Sequence, residues 1–328
     1  MQLPQDLRQA LDAVALSLPP QEISSAAQDL SRRYREGRAP GRAPFVRTAK
    51  DVAAYAAVRL PATFAAIDAA LRHARDALPG WQPGSLLDVG AGPGTALWAA
   101  VDVFQGLRQA TLLERDPEMA ALGRMLAARS NSPVLPSAQW VQADLIGAWD
   151  AQPADLVTAA YVVGELPDGA RDDLVARLWQ KTLGLLVLVE PGTPAGFQRI
   201  LRARDQLLRA GAQVAAPCPH GDACPMAGGD WCHFAQRVER SRVHRQAKGG
   251  DLSYEDEKFS FVGLSRIAAQ PAAGRVIRHP QARGGHVHLE VCSPHGLEHT
   301  VVSRRDGPRY RIARSLSWGS PLPSPDDA

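Results

Sequence analysis

The chain is predicted to be an α/β protein, a parallel sheet with helices on both faces, preceded by helices and followed by a cysteine-rich segment. Three observations carry this. From residue 84 to 211, short apolar runs alternate with amphipathic stretches at the spacing of strand–helix–strand units. A glycine-rich turn, Asp88-Val89-Gly90-Ala91-Gly92-Pro93-Gly94, joins the first such strand to the first such helix. All four cysteines lie in the last third of the chain.

Taken in order, residues 1–80 read as helical, with Leu7, Leu11, Val14 and Leu18 on one face. A second helix is expected at 24–34 and a Gly/Pro/Arg break at 37–44. A long helix or helix pair follows over 51–78, with Pro61 at a kink or junction. Strands are predicted at 85–89, 110–113, 139–142, 155–160 and 184–189, the last a Leu/Val run suited to burial on both faces. Helices are predicted at 95–104, 117–128 (capped by Asp116), 169–181 and 194–210. After residue 211 the pattern stops, and 214–250 is rich in Cys, Pro, Gly, His and Arg. Strand-like runs return at 258–264, 275–278, 286–291 and 300–303, to complete the sheet or to build a small β unit. The expected division is a helical region 1–80, a cofactor-binding core 81–213, a cysteine-rich segment with further strands 214–319, and a disordered tail 320–328.

With 328 residues, 45% of them hydrophobic, the chain can bury a full core, so neither metal nor disulfide is needed to hold it together. The net charge is only +3 but is unevenly spread. Arg237, Arg240, Arg242, Arg245 and Lys248 form one basic cluster opposed locally only by Glu239; Arg304, Arg305, Arg309, Arg311 and Arg314 form another. Such patches attract a polyanion, and the first is the predicted nucleic-acid-binding stretch. The first residues hold acids and no apolar signal segment, and no uninterrupted apolar run reaches the roughly 18 residues of a membrane span. A cytoplasmic, monomeric protein without membrane association is therefore expected. In a reducing compartment, four cysteines favour metal or chemistry over disulfides.

The glycine turn departs from the G-x-G-x-x-G dinucleotide pattern, because its third glycine comes early and an acid stands at the strand end. In this it resembles motif I of the seven-strand methyltransferases, whose ligand, S-adenosylmethionine, has an amino-acid end and a nucleoside end. Asp88, Gly90, Gly92 and Gly94 would then hold the methionine end. Glu114, 20 residues beyond Gly94 at the end of the next strand, can accept both ribose hydroxyls. Asp144, after the third strand, takes the position that commonly meets the adenine amino group. NAD is the competing ligand, but no second glycine loop or hydride-site His/Asp pair is present. The plainer roles are a helix-start acid for Glu114 and a turn residue for Asp144.

Cys218, Cys224 and Cys232 fall within fifteen residues, among prolines, glycines, His220 and His233, and Cys292 ends a later strand. Four thiolates suit zinc or an iron–sulfur cluster, and the chemistry alone leaves both open. The place of an Asn-Pro-Pro-Tyr acceptor loop reads Ala160-Tyr161-Val162-Val163-Gly164-Glu165, without the Asn or the prolines. Tyr161 and Glu165 are the candidate catalytic residues there, and Glu190 borders the pocket.

The chain resembles the family of bacterial and mitochondrial small-ribosomal-subunit methyltransferase-like proteins. The matching stretches are LDVGAGPGT (87–95), YVVGEL (161–166), VEPG (189–192), PCPHGDACPMAGGDWCHFAQR (217–237), YEDEKFSFV (254–262) and YRIARSLSWG (310–319). The resemblance implies a seven-strand Rossmann-like class I methyltransferase core that binds S-adenosylmethionine. It also implies a [4Fe-4S] cluster on the four cysteines and association with small-subunit ribosomal RNA or a pre-ribosomal small subunit. Two functions follow: a ribosomal RNA methyltransferase, or a non-catalytic assembly factor that keeps the fold.

Overall fold

The computed structural model describes residues 1–36, 46–226, 228–242, 244–245 and 252–322. Four N-terminal helices lead in: α1 (Gln5–Ala15), α2 (Pro20–Glu36), α3 (Ala49–Ala54) and α4 (Leu60–Asp76). Between α3 and α4 lies a π turn, Tyr55–Arg59. The Leu60 N–H bonds the Tyr55 carbonyl, five residues back, so the ladder slips by one residue just before Pro61, which has no N–H to give. The predicted kink is thus a widened turn within one continuous helix. Residues 49–76 are apolar and long enough to cross a membrane by length and composition, but 89% of an apolar 18-residue stretch within them is buried inside the fold.

The main sheet contains β1 (Ser85–Val89), β2 (Gln109–Glu114), β3 (Gln139–Gln142), β4 (Ala154–Ala160), β5 (Thr182–Pro191), β6 (Gln213–Ala216), β7 (Phe234–Glu239) and β8 (Tyr254–Ser265). Its order is β3-β2-β1-β4-β5-β8-β6, with β7 beside the first half of β8. Strands β1 to β5 pair in parallel, and β8 enters antiparallel between β5 and β6. The intervening helices are α5 (Thr95–Val103), α6 (Pro117–Ala127), the short α7 (Val134–Ser137), α8 (Asp168–Lys181) and α9 (Pro194–Arg209). This is the expected methyltransferase-like α/β arrangement. In β5 the side chains alternate, Leu185, Val187 and Val189 entering the core that includes α4, and Leu186 and Leu188 entering the core that includes α8 and α9. All five are at most 1% exposed, and each such burial stabilises by about 2 kcal/mol.

Beyond residue 273 a second, antiparallel sheet forms from β9 (Gly274–Val276), β10 (Gln281–Arg283), β11 (His286–Ser293), β12 (Gly296–Ser303) and β13 (Pro321–Leu322). The run at 258–264 joins the main sheet and the later runs build this one. One face of β11 and β12 (Val287, Leu289, Val291, Val302) packs on Ala313 and Tyr310 of the helix Pro308–Ser315.

Two expected boundaries are corrected. The cut at residue 213 falls inside β6, because an edge strand of four residues has too little periodicity to be recognised. The tail expected from 320 begins as β13, paired with β9; residues 323–328 lie outside the described residues. Strand β7 was not foreseen, since its apolar residues are interleaved with Gln236, Arg237 and Glu239.

Candidate functional site

The chain must turn sharply where β1 ends. Gly90, Gly92 and Gly94 have φ of +72°, +55° and +77°, the left-handed region that favours glycine. A Cβ on Gly90 would sit 2.4 Å from Val162 Cγ2. Gly94 then starts α5. Beneath the loop, Asp88 is 1% exposed. Its Oδ1 accepts from Thr158 Oγ1 at 2.8 Å, and its Oδ2 has no hydrogen-bond partner among the described residues. Burial pushes this carboxyl up to about 7, with Glu114 adding to the effect. Thr95 Oγ1, also buried, is likewise unpartnered among the described residues. Glu114 is held against the loop: its Oε2 accepts from the Gly92 N–H and its Oε1 from the Asp116 N–H, both at 2.7 Å. Each oxygen retains a second lone pair. The structure thus brings together Asp88, the three glycines and Glu114. Asp144 is an exposed turn residue, accepting from the Ile146 N–H at 3.1 Å, with Arg115 3.7 Å away.

A residue the sequence did not single out enters from the π turn. The Tyr55 hydroxyl lies 3.9 Å from where a Gly92 Cβ would be, and burial pushes this phenol up to about 12. The widened turn, often found at functional sites, is its structural signature, but the alanine-rich sequence around it reads only as core.

The acceptor-side loop follows β4. Tyr161, with φ +59°, is the one non-glycine in the left-handed region among the described residues. Its hydroxyl donates to Glu257 Oε1 at 3.2 Å. Arg59 lies over its ring at 5.2 Å and pairs with the same Glu257 oxygen at 3.3 Å. Burial, then Glu257, raises the Tyr161 phenol well above its ordinary value. Glu165 differs: it is exposed at the surface, yet desolvation by the surrounding protein, with Glu114 next in effect, pushes its carboxyl up to about 7. The loop is braced from below. Glu190, 1% exposed, accepts from the Gly164 N–H at 3.2 Å and from Arg199 Nε at 2.6 Å. Arg171 donates to the Val163 and Leu166 carbonyls. Arg59, Glu257 and Arg199 come from other elements, and no local motif marks them.

The four cysteines also meet. Cys218 follows β6, Cys224 lies in the loop, Cys232 precedes β7 and Cys292 sits on β11, and all four line one pocket between α9, β8 and the second sheet. Phe197, Met226 and Ile277 pack around it. Two buried arginines brace the loop. Arg204 donates to the carbonyls of His220 (3.1 Å) and Asp222 (2.7 Å), and Arg275 to those of Pro217 and Gly319, both at 3.0 Å. Burial and mutual repulsion raise the Cys218 thiol, raise Cys232 far more, and push Cys292 up to about 12. Cys292 Sγ lies 3.9 Å from His220 Nε2. Among the described residues, however, no group of three or more His, Cys, Asp or Glu is arranged to hold a metal ion.

The predicted RNA stretch is partly neutralised. Arg237 pairs with Asp256 at 2.8 Å and lies over the Tyr254 ring; Arg240 pairs with Glu255 at 3.1 Å. Both acids are on β8, the strand beside β7, so the local count that found only Glu239 missed them. Arg242 and Arg245 are exposed, and Lys248 lies outside the described residues.

Strand order, left-handed glycine loop and buried strand-end acid define a methyltransferase-like α/β protein. Residues 49–323 match the family model described as mitochondrial small ribosomal subunit Rsm22, and the chain belongs to that family. It is 34% identical over 288 residues to a human protein named ribosome assembly protein METTL17, mitochondrial, a match covering 82% of this chain and 62% of the relative. It is 27% identical to the Rsm22-cox11 tandem protein 2, mitochondrial, of Schizosaccharomyces pombe, over 73% of this chain and 38% of that one. The chain thus spans less than two thirds of the length of either. Among solved structures, a magnesium protoporphyrin IX methyltransferase from Synechocystis with bound SAM aligns over 73% of this chain and 90% of its own, with a TM-score of 0.41 and 13% identity. The expected cytoplasmic location is corrected by these names: the family and both relatives are mitochondrial, which points to the mitochondrion instead. The expectation rested on a missing secretory signal and a missing membrane span, and neither bears on import into an organelle.

Proposed function

We propose that the chain binds S-adenosylmethionine and acts on small-subunit ribosomal RNA as a methyltransferase. The observation that carries this is the pair of buried oxygens without a partner among the described residues, Asp88 Oδ2 and Thr95 Oγ1, beneath a loop of three left-handed glycines at the carboxyl edge of a parallel sheet. Unpaired buried polar atoms are costly and mark a place for a ligand's donors. Asp88 and the glycine loop would hold the methionine end, Glu114 the ribose, and Asp144 at the rim the adenine. The cofactor supplies an activated methyl group. The chain's part is to place an acceptor in line with it and, through Glu165, to accept the acceptor's proton, for which a carboxyl near 7 is well matched. The test is calorimetric titration with S-adenosylmethionine, followed by labelled-methyl transfer to immature small-subunit RNA. Binding weakened by about tenfold in Asp88→Asn supports the site, and wild-type protein that fails to bind would overturn it.

The four thiols fit an inorganic centre as a donor set. They share one pocket, and buried guanidinium groups offset their charge. Zinc needs four ligands about 2.3 Å from one point. Thiolate chemistry alone suits both, and it is the match of all four cysteines to the cluster ligands of the resembled family that favours a [4Fe-4S] cluster over zinc. Its role would be structural. No short C-x-x-x-C-x-x-C run, the mark of radical chemistry with this cofactor, is present.

A second reading, a non-catalytic assembly factor, is favoured by one observation: the Tyr161 hydroxyl is committed to Glu257 beneath Arg59, so it is not offered to an acceptor. Cofactor binding without label transfer would select this reading.

A further inference from the structure

The two basic clusters of the chain are in different electrostatic states. Arg237 and Arg240 are paired with acids of the neighbouring strand. The second sheet and its helix are not balanced in this way. Residues 274–322 hold eight arginines and three acids, a net charge of +5, whereas the whole chain carries only +3. Five of the nine histidines also fall there. Arg304 and Arg305 are exposed and have no carboxylate partner among the described residues. The acid nearest them in sequence, Asp306, accepts from the Ser303 N–H at 2.6 Å and the Ser303 hydroxyl at 3.0 Å. Arg309, Arg311 and Arg314 are exposed along the helix Pro308–Ser315.

The sheet's other face is open. It carries a cavity of about 390 Å³, within the size range of small-ligand clefts, whose lining includes Arg283, His288, His299 and the single acid Glu290. The His288 and His299 rings stack at 5.3 Å. The register joins this cavity to the arginines beyond β12. Arg283 pairs with His286, His286 pairs with Ser303, and the next residue, Arg304, donates its N–H to the Gly285 carbonyl at 2.8 Å. The backbone therefore places Arg304 and Arg305 two strands across from Arg283 at the cavity, beyond the end of β12. Arg278, also at the cavity, is paired with Asp230 and adds less.

We propose that this C-terminal unit is the principal contact for the RNA phosphate backbone, with the open cavity taking an unpaired nucleotide against the His288–His299 stack. The inference rests on the reading that the chain associates with RNA, and it moves the contact away from Arg237–Arg245. Unpaired arginines on a fixed scaffold suit phosphate, and histidine faces stack with unpaired bases.

The experiment measures affinity of the full chain for a small-subunit ribosomal RNA transcript across a salt series. Replacing Arg304, Arg305 and Arg309 together by alanine is expected to weaken binding at least about tenfold and to flatten the slope of log K against log salt by about two. The double substitution Arg242→Ala, Arg245→Ala is expected to change affinity less than about threefold. Lysine at the same three positions should recover most of the binding, which separates loss of charge from loss of fold. An unchanged affinity in the alanine triple, with wild type binding normally, overturns the proposal and leaves the RNA reading intact. Failure of the wild-type chain to bind overturns both.

Discussion

The glycine-loop pocket and the cysteine pocket flank the same sheet but are assembled by opposite routes. The first is nearly continuous in sequence: Asp88 through Thr95 supplies the turn, the buried acid and the start of α5, and Glu114 closes it from the adjacent strand. The second draws on α9, β8, the loop after β6 and β11, so its thiols come from positions 218 to 292. A site written in one turn can persist when distant contacts fail, whereas a site written across elements is only as stable as their docking. The cysteine pocket is also where the second sheet meets the first, so whatever occupies it acts on the docking of the two sheets.

The strongest way to break this contrast is Cys232→Ser. Cys232 lines the pocket, where the other three thiols act on it, and Ser260 Oγ donates to its carbonyl at 2.8 Å. Loss of essentially all bound iron is expected on anaerobic purification, with faster proteolysis in residues 217–233. Calorimetry should show cofactor affinity within about threefold of wild type, because no atom of the glycine loop is touched. Unchanged iron content would mean that the thiols hold no such centre.

The converse is Gly90→Ala. The new methyl would meet Val162 at 2.4 Å in a backbone region that disfavours alanine, a combined cost of about 3 kcal/mol or more. Cofactor affinity should fall more than about a hundredfold, while iron content and RNA binding stay near wild type. Parallel loss of iron would show that the two pockets are coupled.

The same contrast explains what the sequence could tell. Strands β1, β2, β4 and β5 were legible because burial writes itself as apolar runs, as in Leu185–Val189. Asp88 and Glu114 were legible because each stands at a strand end beside a turn. The meeting of the cysteines could be proposed from their clustering, but the arginines that brace their loop, Arg204 and Arg275, could not, because a buried arginine is unmarked until its carbonyl partners are placed. Tyr55, Arg59 and Glu257 were hidden for the same reason, coming from 96 or more residues away from Tyr161 or from an alanine-rich helix that looks like core. The ion pairs of the basic cluster were not legible, since Asp256 and Glu255 come beside Arg237 and Arg240 only across the strand pair.

A smaller effect concerns the two acids near 7. If the chain transfers methyl groups, Glu165→Gln should lower kcat by about a hundredfold and leave cofactor affinity within about twofold. The wild-type rate should rise with pH through an apparent pKa near 7, as the carboxyl becomes a base, and that inflection should vanish in the variant. A profile that keeps its inflection assigns the proton transfer to another group.

The smallest effect separates stability from binding at Asp88. Its folded-state pKa of about 7 lies above the ordinary 3.8, so the native state holds a proton that the unfolded state has released. Stability therefore falls as pH rises from about 4 towards 7, and each further unit costs less as the folded state also ionises. Between pH 6 and 8 this group alone removes roughly 1 kcal/mol. Asp88→Asn keeps the Thr158 hydrogen bond available and cannot ionise, so its ligand-free thermal midpoint should equal or exceed wild type at pH 8 and depend less on pH. Cofactor affinity should drop in the same variant by about tenfold, because the unpartnered Oδ2 no longer offers a charged acceptor. A residue whose removal stabilises the empty fold and weakens the ligand is retained for the ligand; if Asp88→Asn lowered the midpoint and left affinity unchanged, Asp88 would instead be a structural anchor of β1 to β4.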